Sequence, residues 1–443
     1  MRADTLLLLA MGMGVAFTAL LACTIWKGDA RSRLVSTAWF LLAWGPFPLG
    51  VALQFGQDIS SLPISALTVG GLAAIAALIL VARPKRPFPR EPRGIAIASM
   101  VVWMSMIICD IAVGAPMGIR AVSGALGMVV VFLTLDATKA ALVGLRAGLA
   151  SICLASIYFG LTTSSAWFLD TERFPLPIQP PFPGRLQGIA FQPNHLGQIA
   201  GLLVVLTILG PAPRWSRIPA SALGMTVLLY TGSRSSLLGV LAAAAVTFLL
   251  RRNKSATWWF GALMGLGVMS WVLAQASQVG SHTGTLNGRQ VIWSSVTQSF
   301  LSHPLFGVGP SGWEQLETSF KLNFHAAHAN NQLFDTLGKQ GLVGLAALIA
   351  WLVVTGWTIA RLKPSQRVLP GALFGFLLAR SIFEVPLDVY YFSVGTVVVT
   401  SMCAAVSWVP AEESIKEPEP ERTLPQSRAS GRLKRTGSAR AAA

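Results

Sequence analysis

The chain has 443 residues, of which 53% are hydrophobic and 12% are charged, and its mean hydropathy is +0.60. Soluble domains carry about 25% charged residues, so this composition excludes an ordinary soluble protein and indicates an integral membrane protein. The net charge of +16 does not indicate nucleic-acid binding, because the basic residues lie between and after apolar runs. Such residues anchor the cytoplasmic ends of membrane-spanning helices. We therefore expect the lipid bilayer as a partner and no nucleic acid.

Apolar runs long enough to cross a bilayer recur along the chain. A spanning helix needs roughly 20 apolar residues, and thirteen runs approach that length. These runs lie at about residues 5–26, 34–53, 63–82, 94–113, 119–135, 141–162, 196–211, 217–232, 235–250, 256–275, 341–361, 370–386 and 389–409. The sequence therefore predicts an all-α integral membrane protein, a polytopic bundle of 12–13 transmembrane helices over residues 1–409.

Lys and Arg set the orientation of these spans. Basic clusters at 83–93, 251–254 and 361–367 fall in one alternate set of loops. Because cytoplasmic loops carry the excess of Lys and Arg, the long loop 163–195 and the large loop 276–340 are expected to be extracytoplasmic. All five histidines lie in outward-facing segments (His195, His282, His303, His325, His328). We therefore expect titratable chemistry at the extracytoplasmic face.

The C-terminal segment 410–443 differs in composition from the bundle. It is rich in Pro, Ser, Glu and Arg and lacks apolar periodicity, which is typical of disordered segments. We expect a disordered basic cytoplasmic tail, which is either a tether to anionic lipid or a partner, or a solvated segment that reinforces topology.

Two outward-facing stretches place polar side chains where apolar helices begin. PGRLQGIAFQPNHLGQIAG (183–201) puts Asn194 and His195 at a helix entry. TGSRSSLLG (231–239) puts Arg234 beside serines that are natural caps for the next helix. Exposed backbone N–H groups and the positive end of the helix dipole favour anions there. Arg234 is therefore either an anion-binding group or a side chain that snorkels to the surface.

Two later stretches place further basic groups in the large loop. In NGRQVIWSSVTQSFLSHPLFGVGPSGW (287–313), Arg289 opens an amphipathic helix that we expect along the membrane surface. In HAAHANNQLFDTLGKQG (325–341), His325 and His328 precede a short helix that Asn331 can cap. Arg289 then presents a second cation at headgroup depth, and the two imidazoles lie at the mouth of the short helix.

Guanidinium groups and an imidazole at a membrane surface suit one reaction. Arginine binds phosphate oxygens through two parallel hydrogen bonds and stays charged, and histidine can accept a proton from a sugar hydroxyl at neutral pH. Together they describe glycosyl transfer from a lipid diphosphate. The outward loops contain no Asp-x-Asp pair and no His and carboxylate cluster with metal spacing. We therefore expect arginine in place of a metal and no cofactor.

The segments FQPNHLG, TGSRSSLLG, NGRQVIW with SHPLFGVGP, and HANNQLFDTLGKQGLVG resemble, in this order, the signature segments of the O-antigen ligase and O-antigen polymerase superfamily. The resemblance covers roughly residues 185–390. It implies a GT-C-like bundle in the bacterial cytoplasmic (inner) membrane with a large periplasmic loop. It also implies metal-independent transfer of a glycan from an undecaprenyl-diphosphate-linked donor to a glycan or lipid-linked acceptor.

The resemblance also implies roles for single residues. Arg234 and Arg289 would bind the diphosphate, and His328 would activate the acceptor hydroxyl as the catalytic base. His325 remains a rival to His328. We expect four accessory residues at this site (His325, Asn194, His195, Asn331).

Arg380 and Glu384 lie four residues apart in the span 370–386, so they share a helix face. We expect a structural ion pair, because pairing lowers the cost of burying both charges.

Two other functions stay open. One is a peptidoglycan-type lipid-linked glycosyltransferase, which relies on an outward-facing aspartate. The other is a transporter or flippase for lipid-linked sugars, which would place ionisable groups near the membrane midplane. Sequence does not separate a polymerase from a ligase.

Overall fold

The computed structural model describes residues 29–47, 64–81, 93–115, 119–135, 137–168, 184–190, 192–252, 289–313, 328–390 and 393–408. Within these ranges the chain is almost entirely α-helical. The strands described are two residues long and antiparallel, β1 (Trp167–Phe168) with β2 (Arg185–Leu186). The all-α polytopic architecture is therefore confirmed.

Twelve α-helices lie in the described part of the chain. They are α1 Ala30–Trp44, α2 Ile64–Val81, α3 Arg93–Ala112, α4 Ile119–Thr134, α5 Thr138–Thr162, α6 Pro193–Leu209, α7 Arg214–Thr231, α8 Arg234–Arg251, α9 Arg289–Ser302, α10 Gln332–Arg361, α11 Val368–Ser381 and α12 Val394–Ser407. Eleven coincide with predicted spans, and α9 is the predicted amphipathic helix. The spans predicted at 5–26 and 256–275 and the tail 410–443 lie outside the described residues.

Four of these helices, α3, α5, α8 and α10, are long and apolar enough to cross a membrane. Shorter apolar helices occur within α2 and α4, and as α6, α11 and α12. Apolar side chains also remain exposed along several helices, for example Ile111 at 61% and Ile349 at 51%. Exposed apolar side chains on spanning helices are the surface that lipid tails cover.

The predicted short helix capped by Asn331 is the first part of α10, which begins at Gln332 and continues into the expected span. Asn331 accepts from the N–H groups of Leu333 and Phe334. Two predicted helix ends differ from the observed ones. α11 ends at Ser381, before Pro386, which cannot continue a helix. α12 begins at Val394, after a capping box formed by Ser393. Apolar composition alone predicted a longer α11 and an earlier α12.

α5 packs against α1 through glycines. A Cβ at Gly144 would lie 2.0 Å from the carbonyl oxygen of Ser36, and one at Gly148 would lie 2.6 Å from the Cβ of Ala43. Small residues of this kind let two membrane helices approach closely. The Ser36 hydroxyl also donates to the Ala140 carbonyl over 2.9 Å. α5 is thereby fixed in the middle of the apolar core.

α10 is broken at Gly341, whose φ of 58° and ψ of −148° suit only glycine. The backbone groups that the break frees are paired with the loop that follows α9. Four hydrogen bonds make this connection: Val308 N to Gly338 O (3.0 Å), Gly309 N to Lys339 O (2.9 Å), Leu342 N to Pro304 O (2.9 Å) and Val343 N to Leu305 O (3.1 Å). Non-helical backbone at membrane depth requires such internal partners.

The first half of α10 and α9 share a small apolar cluster that is separate from the main core. The Trp293 ring stacks on Phe334 with centroids 5.2 Å apart. The following loop is tied to α3, where the buried Asp110 accepts hydrogen bonds from the backbone and hydroxyl of Ser311 and from Tyr390. The described residues that follow α9 are therefore anchored to α3 through Ser311.

Candidate functional site

Four helices meet at one end of the bundle, where α6, α8 and α10 begin and α11 ends. We call this end the site end. Asn194 in the first turn of α6 contacts Glu384 just after α11, and Arg380 in α11 contacts Ser236 in α8. Asn331, which caps α10, donates to the carbonyl of Ile382 over 2.9 Å. Because three helix N-termini converge, their dipoles make the site end favourable for an anion.

Asn194 lies at the centre of the polar contacts. Its carboxamide oxygen accepts from Nη2 of Arg185 over 2.7 Å, and its Nδ2 donates to Oε1 of Glu384 over 2.6 Å. Its backbone oxygen accepts from Nη1 of Arg380 over 3.5 Å. Nε of Arg185 donates to the carbonyl of Thr231 over 2.8 Å. Two cations and one carboxylate therefore surround one amide.

The buried guanidinium of Arg380 is 1% exposed and lies between α6 and α8. Its Nη1 donates to the hydroxyl of Ser236 and, over 3.5 Å, to that of Ser235. Glu384 is 2% exposed and takes its hydrogen bond from Asn194. Both charges thus have polar contacts on neighbouring helices, as burial requires. Glu384 lies three residues beyond the end of α11, so the expected shared helix face is not present. The direct pairing of Arg380 with Glu384 stays a prediction.

The serines at the start of α8 do not act as the expected caps. In the described structure, Ser233 occupies the N-cap position without a side-chain cap hydrogen bond. Its hydroxyl donates to Ser236 over 2.9 Å and lies 3.4 Å from the hydroxyl of Ser235. The hydroxyls are drawn together because the buried guanidinium of Arg380 needs acceptors.

The imidazole rings of His195 and His328 lie close together at the site end. Their ring centroids are 6.2 Å apart, with 49° between the ring planes. Sequence analysis placed both in outward segments but could not bring them together. His195 stands in the first turn of α6, next to Asn194, and His328 precedes α10 by four residues.

The backbone beside His328 is held on both sides. Ala329 donates its N–H to Oδ1 of Asp335 over 2.9 Å, and its carbonyl accepts from Nε1 of Trp293 over 2.8 Å. Asn330 adopts a left-handed conformation with φ 51°. Asn331 is fully buried, and its carboxamide is engaged in the α10 cap and in the bond to Ile382. Asn331 therefore supports the segment that presents the imidazole.

The two predicted diphosphate-binding arginines are placed differently. Arg234 is the exposed first residue of α8, three residues after Thr231. Arg289 is the first residue of α9, one helical turn before Trp293, and its side chain lies outside the described residues, as does the whole of His325. The indole of Trp293, one helical turn after Arg289, donates to the carbonyl of Ala329, next to His328.

Arg185 is the site residue that sequence analysis missed. Pairing of β2 with β1 places it against the α7–α8 turn, where a Cβ on Gly232 would lie 3.4 Å from its Nε. The available signal was an arginine nine residues before Asn194 in an outward segment. It was not selected, because nothing local in the sequence links residue 185 to the turn at 231–234.

Two acidic residues, Asp335 and Asp388, interact with Lys339 in α10. Asp335 forms a salt bridge with Lys339 over 3.1 Å. Asp388 lies in the loop between α11 and α12, and burial raises the pKa of its carboxyl group. The charge of Asp335 raises this pKa further, whereas the charge of Lys339 lowers it. Within the described residues no group of three or more His, Cys, Asp or Glu side chains could hold a metal ion.

The fold and the site define a polytopic, all-α membrane protein with a buried guanidinium group and two neighbouring imidazoles where its helices meet. Residues 219–349 match the family described as O-antigen ligase (Wzy_C). The match supports assignment to the O-antigen ligase and polymerase superfamily. A comparison with curated proteins finds no significant match.

The matched segment runs from α7 into α10 and contains Arg234, Arg289 and His328. Residues that complete the polar cluster lie outside it, on β2, α6 and α11 (Arg185, Asn194, His195, Arg380). The structure therefore joins the family segment to parts of the chain that the match does not reach.

Proposed function

We propose that this protein is a membrane glycosyltransferase of the O-antigen ligase and polymerase type. It transfers a glycan from an undecaprenyl-diphosphate-linked donor to a hydroxyl of an acceptor sugar at the extracytoplasmic face. The observation that carries the proposal is the approach of His328 to His195, beside Arg185 and Arg380, at converging helix N-termini.

The diphosphate of the donor would bind to guanidinium groups around the α7–α8 turn. Arg234 is exposed on this turn, and Arg185 is hydrogen-bonded to its Thr231 carbonyl. Arg289 at the start of α9 would supply a further cation on the side of His328. Paired N–H donors of a guanidinium group hold phosphate oxygens in a fixed orientation. They also stabilise the negative charge that develops on the diphosphate as it leaves the donor sugar.

His328 would act as the catalytic base. As the acceptor oxygen attacks the anomeric carbon, the imidazole takes the hydroxyl proton. The bond between the anomeric carbon and the diphosphate oxygen breaks, and the diphosphate leaves with the bonding electron pair. The products are therefore the new glycosidic bond, undecaprenyl diphosphate and a protonated His328 imidazole. The arginines neutralise the leaving group, so no step requires a metal ion.

The peptidoglycan-type alternative requires an accessible aspartate outside the membrane. In the described part of the large loop, Asp335 is 3% exposed and engaged by Lys339 and the N–H of Ala329. An engaged, buried carboxylate favours a structural role for Asp335, and therefore favours the histidine chemistry.

Purified protein in liposomes tests the proposal. The donor is a lipid-diphosphate-linked oligosaccharide, and the buffer contains a chelator. A ladder of longer lipid-linked products would identify a polymerase, and transfer only to an added lipid-linked acceptor would identify a ligase. Either product with release of the carrier diphosphate supports the proposal. Transfer that needs an added divalent ion, or no transfer with either acceptor, contradicts it.

A further inference from the structure

Asn194 uses its side chain and backbone to join three distant elements. Its two side-chain bonds reach Arg185, nine residues before it, and Glu384, 190 residues after it. Its carbonyl accepts from Arg380 in α11. The neighbours fix the carboxamide orientation, because a guanidinium only donates and a carboxylate only accepts.

These bonds do not serve the start of α6. Polar residues at a helix start usually cap it by accepting a backbone N–H bond. The α6 N-cap is Gln192, which makes no side-chain cap hydrogen bond in the described structure, and Pro193 follows it. The Asn194 side chain instead points away from its own helix, so its contribution is long-range.

We infer that Asn194 is a positioning residue that couples the guanidinium of Arg185 to the carboxylate of Glu384 and holds the helix turn that carries His195. The inference rests on the proposed function, because it assigns Asn194 to the diphosphate and imidazole geometry of the same site.

The coupling fixes the plane of the Arg185 guanidinium. Among its described hydrogen bonds, Nη2 donates to Asn194 and Nε donates to the carbonyl of Thr231. The second bond places this cation on the turn that leads to Arg234. A planar cation held at two points recognises phosphate oxygens in one orientation, which a freely rotating side chain does not.

The same residue holds His195 opposite His328. His195 follows Asn194 directly, so a rotation of the first turn of α6 would move the imidazole away from its partner at 6.2 Å. Misplacement of about 1 Å in an active site can cost ~100-fold in rate. Asn194 therefore links the cation and the imidazole through one amide.

Exchange of the Asn194 amide and the Glu384 carboxylate tests whether Asn194 positions Arg185 and His195. Asn194→Asp keeps an acceptor for Arg185 but sets two carboxylates against each other at Glu384. The double variant Asn194→Asp with Glu384→Gln restores one donor and one acceptor and conserves the net charge. Gln187→Glu is the matched control, because it adds the same charge between β2 and α6. The described side-chain hydrogen bond of Gln187 goes to the Ser165 carbonyl and to no residue of the polar cluster.

The readouts are donor KM, kcat and affinity for a short-chain prenyl diphosphate, normalised to protein that elutes as a folded species. We expect Asn194→Asp to lower kcat/KM at least ~10-fold and the double variant to recover to within ~3-fold of wild type. Gln187→Glu should stay within ~2-fold of wild type on the same scale. The thermal midpoint of each variant is measured and compared with that of the wild type.

Three results would overturn the inference. One is a lower thermal midpoint in Asn194→Asp with unchanged kcat, KM and affinity, which would show a purely structural role. Another is a double variant no better than Asn194→Asp, and the third is loss of folding in both. If the wild type binds the prenyl diphosphate but transfers nothing, the transfer reaction fails, while the affinities of the variants still decide the role of Asn194.

Discussion

The imidazole rings of His195 and His328 lie 6.2 Å apart, although 132 residues separate them in the chain. One ring is carried by the first turn of α6 and the other by the segment ahead of α10. Each segment is fixed by its own bonds, Asn194 to Glu384 and Ala329 to Asp335. The approach of the two rings therefore follows from tertiary contacts at four helix ends.

Arg234→Lys is expected to weaken donor binding without affecting the fold. Lysine keeps the charge but loses the two-point contact with phosphate oxygens. Because Arg234 is exposed, stability should not change, while donor KM should rise ~10-fold or more, equivalent to about 1.4 kcal/mol. Arg251→Lys at the other end of α8 is the control and should match wild type. Equal KM values for the two variants would remove Arg234 from the site.

Gly341→Ala should destabilise the protein strongly. An added Cβ would lie 2.6 Å from the Leu305 backbone, and the φ of 58° disfavours any side chain. The loop that pairs with the break would be displaced from α10. Gly356→Ala in the same helix is the control, since its Cβ would meet Phe374 at 3.9 Å. A fluorescence-monitored thermal midpoint measures both, and an unchanged midpoint for Gly341→Ala would show that the break is not required.

Asp388→Asn should stabilise the protein more at pH 8 than at pH 4. Burial raises the pKa of Asp388 above 3.8, so the folded state binds its proton more tightly than the unfolded state. The free energy of unfolding then falls as pH rises from 3.8 to the raised pKa of Asp388. Above that pKa the buried carboxylate is charged, and its full destabilising effect is present. Asparagine can still accept from the N–H of Tyr390. If the thermal midpoint of Asp388→Asn at pH 8 is lower than that of the wild type at pH 8, this assignment is contradicted.

Accessibility of single cysteines tests the predicted orientation. His303 is exposed after α9, and Ser365 is exposed between α10 and α11. In a Cys23→Ser background, His303→Cys should react with a membrane-impermeant maleimide in intact spheroplasts. Ser365→Cys should react only after permeabilisation. Three native cysteines are buried (Cys109, Cys153, Cys403), so background labelling should be low. The reverse labelling pattern would invert the topology and place the site end in the cytoplasm.

Sequence periodicity located the helices well because lipid imposes one rule, roughly 20 apolar residues per span. It also predicted the short helix capped by Asn331, because that cap is a local contact. It failed where tertiary contacts determine the backbone, as at the break at Gly341, which depends on bonds to Pro304 and Leu305. Apolar composition contains no signal for a break whose partners lie more than thirty residues earlier.

The site was predictable in its residue types but not in its assembly. Asn194, His195 and His328 were selected as outward-facing polar groups, and the structure gathers them. Arg185 was missed because its contacts to Thr231 and Asn194 are long-range. Arg380 was recognised only as half of an ion pair, since its neighbours on α8 cannot be derived from local spacing.

The most direct test of the account is the transfer rate of His328→Gln with a lipid-diphosphate-linked donor and a sugar acceptor. Glutamine retains hydrogen bonding but cannot take the hydroxyl proton, and removal of a general base costs ~100-fold to ~10,000-fold. His303→Gln, at an exposed histidine of the same loop, should keep the wild-type rate. We predict that His328→Gln is inactive while its membrane insertion and prenyl-diphosphate affinity are preserved. A His328→Ala, His325→Ala double variant with the full wild-type rate would contradict the account.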